Sequence, residues 1–149
     1  MIGKTTEQFF GSVTELSWYE DGRGKLMEIL RGEGVDFGQA YVTTCRPGVV
    51  KAWHHHERQT DRMICLHGAL QIGLADLRTE KTATVYSSPH APRLVTIRPG
   101  IWHGFSSVGA EEAIVLNIPD RAYDRKNPDE QRRPAHDPAV PYHWGVLDG

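Results

Sequence analysis

Residues 48–68 read GVVKAWHHHERQTDRMICLHG, with three consecutive histidines, His54, His55 and His56, between apolar runs and a closing glycine. Eight histidines occur in 149 residues. Imidazole titrates near neutrality and is also a common metal ligand, so such a cluster can move protons or hold an ion. In an extended strand successive side chains alternate faces, which puts His54 and His56 on one wall and His55 on the other. A third reading is a surface patch whose rings only meet water. The apolar residues just before the triplet, Val49, Val50, Ala52 and Trp53, argue against it.

The elements that carry these rings are short. Runs rich in Val, Ile, Thr and aromatics recur at 37–45, 62–66, 69–77, 83–87, 93–97 and 113–118, and each predicts a strand. Breakers separate them: Arg46-Pro47-Gly48, His67-Gly68, Ser88-Pro89-His90, Pro99-Gly100 and Val108-Gly109. Only residues 5–10 offer a helical period. Many short strands at this spacing predict an all-β barrel or jelly-roll sandwich, whose closure removes exposed strand edges. The length suits one domain, 1–149. From Arg121 onward charge and proline dominate, yet Pro141-Tyr142-His143-Trp144 brings aromatics back, so the tail 121–149 should run extended and dock on the barrel.

The formal net charge is −2, without a basic stripe, which disfavours nucleic acid and anionic membranes as partners. The two cysteines, Cys45 and Cys65, lack CxxC spacing, and no apolar leader or membrane-length run occurs. A reduced, cytoplasmic protein with two packed thiols is expected.

From Gly48 the order glycine, His54, His56, Asp61, Gly68 follows the first cupin pattern, and Pro99-Gly100-Ile101-Trp102-His103 resembles the second. A closer resemblance is to the dTDP-4-dehydrorhamnose 3,5-epimerases. Asp21-Gly22-Arg23-Gly24-Lys25-Leu26-Met27-Glu28 looks like that family's DxRGxFxE opening. Phe37, Gln39, Thr43, Gly48, Lys51 and His54 then fall, without a gap, where it has phenylalanine, glutamine, serine, glycine, arginine and its catalytic histidine. Ala75-Asp76-Leu77-Arg78 is similar to VDIR, residues 99–105 to PxGFAHGF, and His136-Asp137-Pro138 with Trp144 to the DDPxxxIxW ending.

The resemblance implies a cupin double-stranded β-helix with short terminal extensions, forming a homodimer and acting on a nucleotide-diphosphate 4-keto sugar without a cofactor. It implies His54 as the base that removes the proton beside the ketone, Asp137 as its carboxylate partner, and His103 near the ketone. Arg23 from the neighbouring subunit, Lys51 and Arg62 would meet the diphosphate, Gln39 the sugar and Glu28 the nucleobase. A carboxylate bonded to one ring nitrogen fixes the tautomer and raises the basicity of the other.

Three departures matter. Aligning Asp120 with the family's aspartate puts Leu116 where its general-acid tyrosine stands, which leaves Tyr41, Tyr86 and Tyr142 as phenols that could give a proton. A 3,5-epimerase, a one-carbon epimerase and a sugar-nucleotide ketoisomerase all fit the same base. Leu26 replaces a base-stacking phenylalanine, so the nucleotide is open. His56 replaces a glutamine, which favours the rival reading of a metal-dependent cupin whose His54, His56, Asp61 and His103 surround a divalent transition metal. A non-catalytic sugar-binding cupin is the third. Asp76 with Arg78 reads as a structural pair, Asp129, Glu130, Arg132 and Arg133 as a solvated face, and His136 or His143 as rival neighbours of Asp137.

Overall fold

The computed structural model describes residues 3–145, all in strands, turns and irregular segments. Among them no helix is long and apolar enough to cross a membrane. Thirteen strands follow in order: β1 (Thr5–Gln8), β2 (Gly11–Glu15), β3 (Tyr19–Asp21), β4 (Gly24–Leu26), β5 (Tyr41–Cys45), β6 (Val50–His55), β7 (Asp61–His67), β8 (Leu70–Asp76), β9 (Lys81–Ser87), β10 (Arg93–Ile97), β11 (Trp102–Ser107), β12 (Ala113–Asn117) and β13 (Gln131–Arg132).

Two sheets face each other, ordered β1-β2-β10-β7-β12-β5 and β13-β6-β11-β8-β9, with β3-β4 as a separate hairpin. Every pairing between strands is antiparallel. This is the expected jelly roll. Its interior is filled from both sheets, with Met63, Cys65, Val95, Ile97, Ala113 and Val115 meeting Leu70, Ile72, Leu74 and Phe105. The alternation is plain on β7, where Met63 and Cys65 point inward while Ile64 and Leu66 pack outside with Leu16, Leu94 and Leu116. Both thiols are buried, Cys45 at 1% and Cys65 at 0% exposure.

β8 is buried along its whole length, which one core face cannot explain. Its outer face is covered by the chain's end: a Cβ on Gly73 would come within 2.7 Å of the Trp144 ring and 2.9 Å of Tyr142. Tyr142 also takes part in hydrogen bonds with Gln71 and Thr84, at 2.9 and 2.7 Å. Trp53, fully buried, packs on Tyr142 and Trp144 at ring distances of 5.3 and 5.0 Å and donates Nε1 to the Ala135 carbonyl. The aromatic ending thus docks on the barrel up to Gly145; residues 146–149 of the expected tail lie outside the described residues.

The helical reading of 5–10 is overturned. Thr5–Gln8 forms an outer strand paired with β2, and Phe10 turns into the core at 1% exposure. Six residues are too few to nucleate a helix alone, whereas hairpin pairing satisfies their backbone at once. β11 escaped the propensity reading because Gly104, Ser106 and Ser107 are poor strand formers. Burial between β6 and β8 decides its conformation.

Candidate active site

β6 and β11 carry His54 and His103, paired in register, and His56 follows directly after β6. The close approach depends on Gly104, where a Cβ would overlap Ala52 and come within 2.8 Å of the Lys51 carbonyl. His54 and His56 both line one cavity of about 1100 Å³, while His55 turns the other way and stacks on Trp102 at 4.8 Å.

His54 Nδ1 lies 3.0 Å from Glu130 Oε1. Burial and the nearby His103 pull its pKa below the ordinary imidazole value, and Glu130 draws it part of the way back. Glu130 is steered in turn by Arg132, whose Nη2 donates to Oε2 at 3.1 Å. The expected partner, Asp137, is elsewhere: it accepts from Arg133 Nη1 at 3.3 Å and from the Ala139 backbone at 2.9 Å, and it does not line the cavity. The His54–Asp137 pairing is therefore corrected to His54–Glu130. The reason is register, because β13 pairs Gln131 and Arg132 with His55 and His54 and sets Glu130 beside the imidazole. His136 and His143 are exposed on the same tail, outside the cavity.

The reading of 129–133 as a solvated face is likewise corrected. Asp129 accepts the backbone N–H groups of Glu57, Arg58 and Gln59 at 2.9, 2.9 and 3.0 Å, which shapes the loop after the histidines. Arg133 lies over Trp102 at 4.9 Å. No local sequence signal marks Glu130 for this role, since its partner is 76 residues away.

A second constellation lies deeper. Asp61, at 2% exposure, places Oδ2 3.2 Å from His56 Nε2 and 2.9 Å from His103 Nε2. Burial opposes the charge of Asp61, yet the two histidines hold its carboxyl well below the usual carboxylate range. His56 also contacts the Asp129 carbonyl through Nδ1. With acceptors on both ring nitrogens it favours the doubly protonated form, so its pKa is raised although burial works against it. His103 Nδ1 faces the Ile101 carbonyl at 3.0 Å. Of the four residues expected around a metal, His56, Asp61 and His103 converge, with ligand atoms within 4.8 Å of one another. His54 is outside that group, committed to Glu130.

Other expected ligand contacts divide. Gln39 and Lys51 line the cavity; Gln39 Oε1 accepts from the Tyr123 backbone, and Lys51 Nζ donates to the Thr44 carbonyl at 2.7 Å and Thr43 Oγ1 at 3.2 Å. Arg62 does not. Its Nη1 donates to the Asp36 and Ile118 carbonyls at 2.9 and 3.1 Å, a structural role. Arg23 sits on the β3-β4 hairpin, paired with Asp21 at 2.7 Å, and Glu28 pairs with Arg31 at 2.8 Å, both away from the cavity. Arg58, Arg121 and Tyr123 line the cavity without having been singled out in the sequence. Asp76 meets Arg78 and Arg98 at 3.7 and 3.5 Å, the structural pair expected.

The comparisons agree with this architecture. The Bacillus anthracis dTDP-4-dehydrorhamnose 3,5-epimerase, solved with TDP and PPi bound, superposes with a TM-score of 0.82 at 22% identity, covering 96% of this chain and 90% of that one, and so shares the fold. A dTDP sugar isomerase from Desulfovibrio desulfuricans gives the same TM-score at 28% identity over 89% and 88% of the two chains. In sequence, the Haloferax volcanii "probable low-salt glycan biosynthesis epimerase Agl13" is 34% identical over 132 residues, 82% of this chain and 85% of that protein. Residues 19–131, from β3 to the first residue of β13, match the family model described as the polysaccharide biosynthesis C-terminal domain, and the chain belongs to that family.

Proposed function

We propose that this protein is an epimerase acting on a nucleotide-linked 4-keto sugar, with His54 as the base that removes the proton next to the ketone. The observation that carries the reading is the His54 Nδ1–Glu130 Oε1 contact at 3.0 Å on the wall of a large cavity. It commits one ring nitrogen to a carboxylate and leaves Nε2 to take a proton from carbon. The depressed pKa of His54 keeps the ring neutral, as a base must be.

Removing a proton from carbon generates an enolate, whose charge must be met. His103 is the cavity's deep imidazole, and with Nε2 on Asp61 and Nδ1 on the Ile101 carbonyl it has no N–H to spare, so we assign it to the pocket wall beside the ketone and not to a hydrogen bond with the oxygen. Lys51, Arg58 and Arg121 line the same cavity and suit a diphosphate, which brings negative charge with it. We assign Gln39, which lines the same cavity, to the sugar. The named functions of the Haloferax and Desulfovibrio relatives, an epimerase and a dTDP sugar isomerase, support the same class of reaction.

A homodimer fits the exposed apolar residues Leu26, Phe37 and Val42, at 64, 67 and 59% exposure, the last on the edge strand β5. In it the hairpin bearing Arg23 would serve the partner's cavity. A nucleotide sugar as substrate suits a cytoplasmic enzyme.

A second reading is supported by the convergence of His56, Asp61 and His103, a two-imidazole, one-carboxylate set that suits a divalent transition metal. Bound there, the ion would supply Lewis-acid stabilisation of a developing oxyanion. Metal content of untagged protein, with and without His56→Ala, tests it.

The test of the main reading is solvent exchange. In D₂O the protein should wash deuterium into the carbon beside the ketone of dTDP-4-keto-6-deoxyglucose or its UDP counterpart, followed by NMR. His54→Ala should lower the rate ~10²- to 10⁴-fold. Unchanged exchange in that variant would remove His54 as the base.

A further inference from the structure

Inverting a carbon needs a proton taken from one face and returned to the other, so a base alone does not complete an epimerisation. We propose that Tyr41 is the proton donor on the sugar face opposite His54, an assignment that rests on the epimerase reading.

The two side chains come from different sheets. His54 stands on β6 of the five-stranded sheet and Tyr41 begins β5, the edge of the six-stranded one, yet both line the same cavity. A sugar held between the sheets meets one group on each side.

The phenol is also held in the sense a donor requires. Asn117, opposite Tyr41 in the β12-β5 register and 1% exposed, accepts the Arg62 backbone N–H through Oδ1 at 3.0 Å. That fixes the amide, so Nδ2 donates to the Tyr41 hydroxyl at 2.8 Å and points as well to Asp61 Oδ1 at 3.3 Å. Because the Tyr41 oxygen is the acceptor there, its own hydrogen is left for another acceptor, and the same amide can steady the oxygen once that hydrogen has gone. Tyr41 is 41% exposed overall, and the burial of the rest of the ring pushes its pKa above the ordinary value, which favours the protonated phenol.

The remaining phenols are placed worse. Leu116 belongs to the outer cluster with Leu16, Ile64 and Leu94, so a hydroxyl-bearing side chain at that position would face away from the cavity. Tyr142 is engaged by Gln71 and Thr84 on the outer face of β8, Tyr86 is 55% exposed on β9, and Tyr19 is 44% exposed on β3; none of the three lines the cavity. Tyr123 does line it, but from the rim, at 57% exposure.

The step balances without a co-reactant. His54 takes the proton, and the C–H electron pair moves into the enolate with its charge on the former ketone oxygen. The enolate pair then forms a new C–H bond with the Tyr41 proton on the other face while the ketone re-forms. The phenolate regains a proton from water as the imidazolium returns one to it.

Tyr41→Phe in the full-length protein separates base from acid. With the same two keto-sugar nucleotides in D₂O, the variant should retain His54-dependent exchange while inverted product falls ~10²- to 10⁴-fold. Tyr86→Phe should leave both unchanged. Inversion at the wild-type rate in Tyr41→Phe overturns the assignment and leaves the epimerase reading standing. Loss of both exchange and inversion, with the fold intact by circular dichroism, makes Tyr41 a binding residue and also overturns it. A wild-type protein that exchanges neither nucleotide sinks the epimerase reading and this proposal with it.

Discussion

Glu130 Oε1 lies 3.0 Å from His54 Nδ1, joining the residue just before β13 to the first histidine of the triplet. The carboxylate selects the tautomer that leaves Nε2 open and raises the basicity of a ring that burial would otherwise weaken. Glu130→Gln should therefore lower exchange ~10²-fold and move the acidic limb of the rate profile to lower pH, since the raising influence is gone. Asp137→Asn should leave that limb where it was, because Asp137 is bound to Arg133. Deuterium exchange of the two variants across pH separates the roles, and the opposite ranking would restore Asp137 as the partner.

The pH profile of kcat/KM should be a broad bell. Its acidic limb follows His54, which must be neutral, and falls below about 6.5 because the folded pKa is depressed. Its basic limb follows Tyr41, which must be protonated, and lies above about 10 because that pKa is raised. An acidic limb at or above the ordinary imidazole value would assign the base to another group.

Much of the fold was legible because apolar runs and breakers alternate over short intervals, and the shared face of His54 and His56 follows from strand geometry alone. What stayed hidden came from long-range register. Glu130 reads as one charge among several in 129–133, and only the pairing of β13 with β6 turns it toward the imidazole. Arg62 looks like a free cation beside a histidine motif, whereas its Nη1 donates to two backbone carbonyls, those of Asp36 and Ile118. Tyr41 was visible as a phenol, and its wall of the cavity was not.

Asp61 should matter for folding as much as for the site. It is buried between His56 and His103, and Asp61→Asn leaves that charge unbalanced, at a cost of ~3 kcal/mol in denaturant titration near pH 6. The sign with pH follows from both partners. The depressed carboxylate stabilises the fold above the unfolded value of about 3.9 and loses that contribution as pH falls through its lower folded value. The raised His56 stabilises below about 6.5 and loses its contribution as pH rises through its higher folded value. Wild-type Tm should thus decline on both sides of a maximum between these limits, and Asp61→Asn should flatten the curve.

Lys51 and Arg62 should fail in different ways. Lys51→Met removes a cation from the cavity wall and should raise KM for the nucleotide sugar ~10-fold with Tm little changed. Arg62→Met instead strands the Asp36 and Ile118 carbonyls, one of them in a buried contact, and should lower stability by ~1 to 3 kcal/mol. Steady-state kinetics beside thermal melts distinguishes them, and a purely kinetic defect in Arg62→Met would return that residue to the ligand.

Gly104→Ala tests whether the spacing of β6 and β11 sets the chemistry. The added methyl would overlap Ala52 and press to 2.8 Å from the Lys51 carbonyl, so the strands must part where His54 faces His103. A displacement on the order of 1 Å at a base costs about 10²-fold in rate, while the flanking ladder and the docked aromatic tail can hold the rest of the sheet. The expected result is a folded protein, with near-wild-type circular dichroism and a modestly lower Tm, whose exchange rate falls ~10²-fold. Restoring space with the double variant Gly104→Ala with Ala52→Gly should recover part of that rate. Full activity in Gly104→Ala would mean that His54 does not depend on this strand contact for its position.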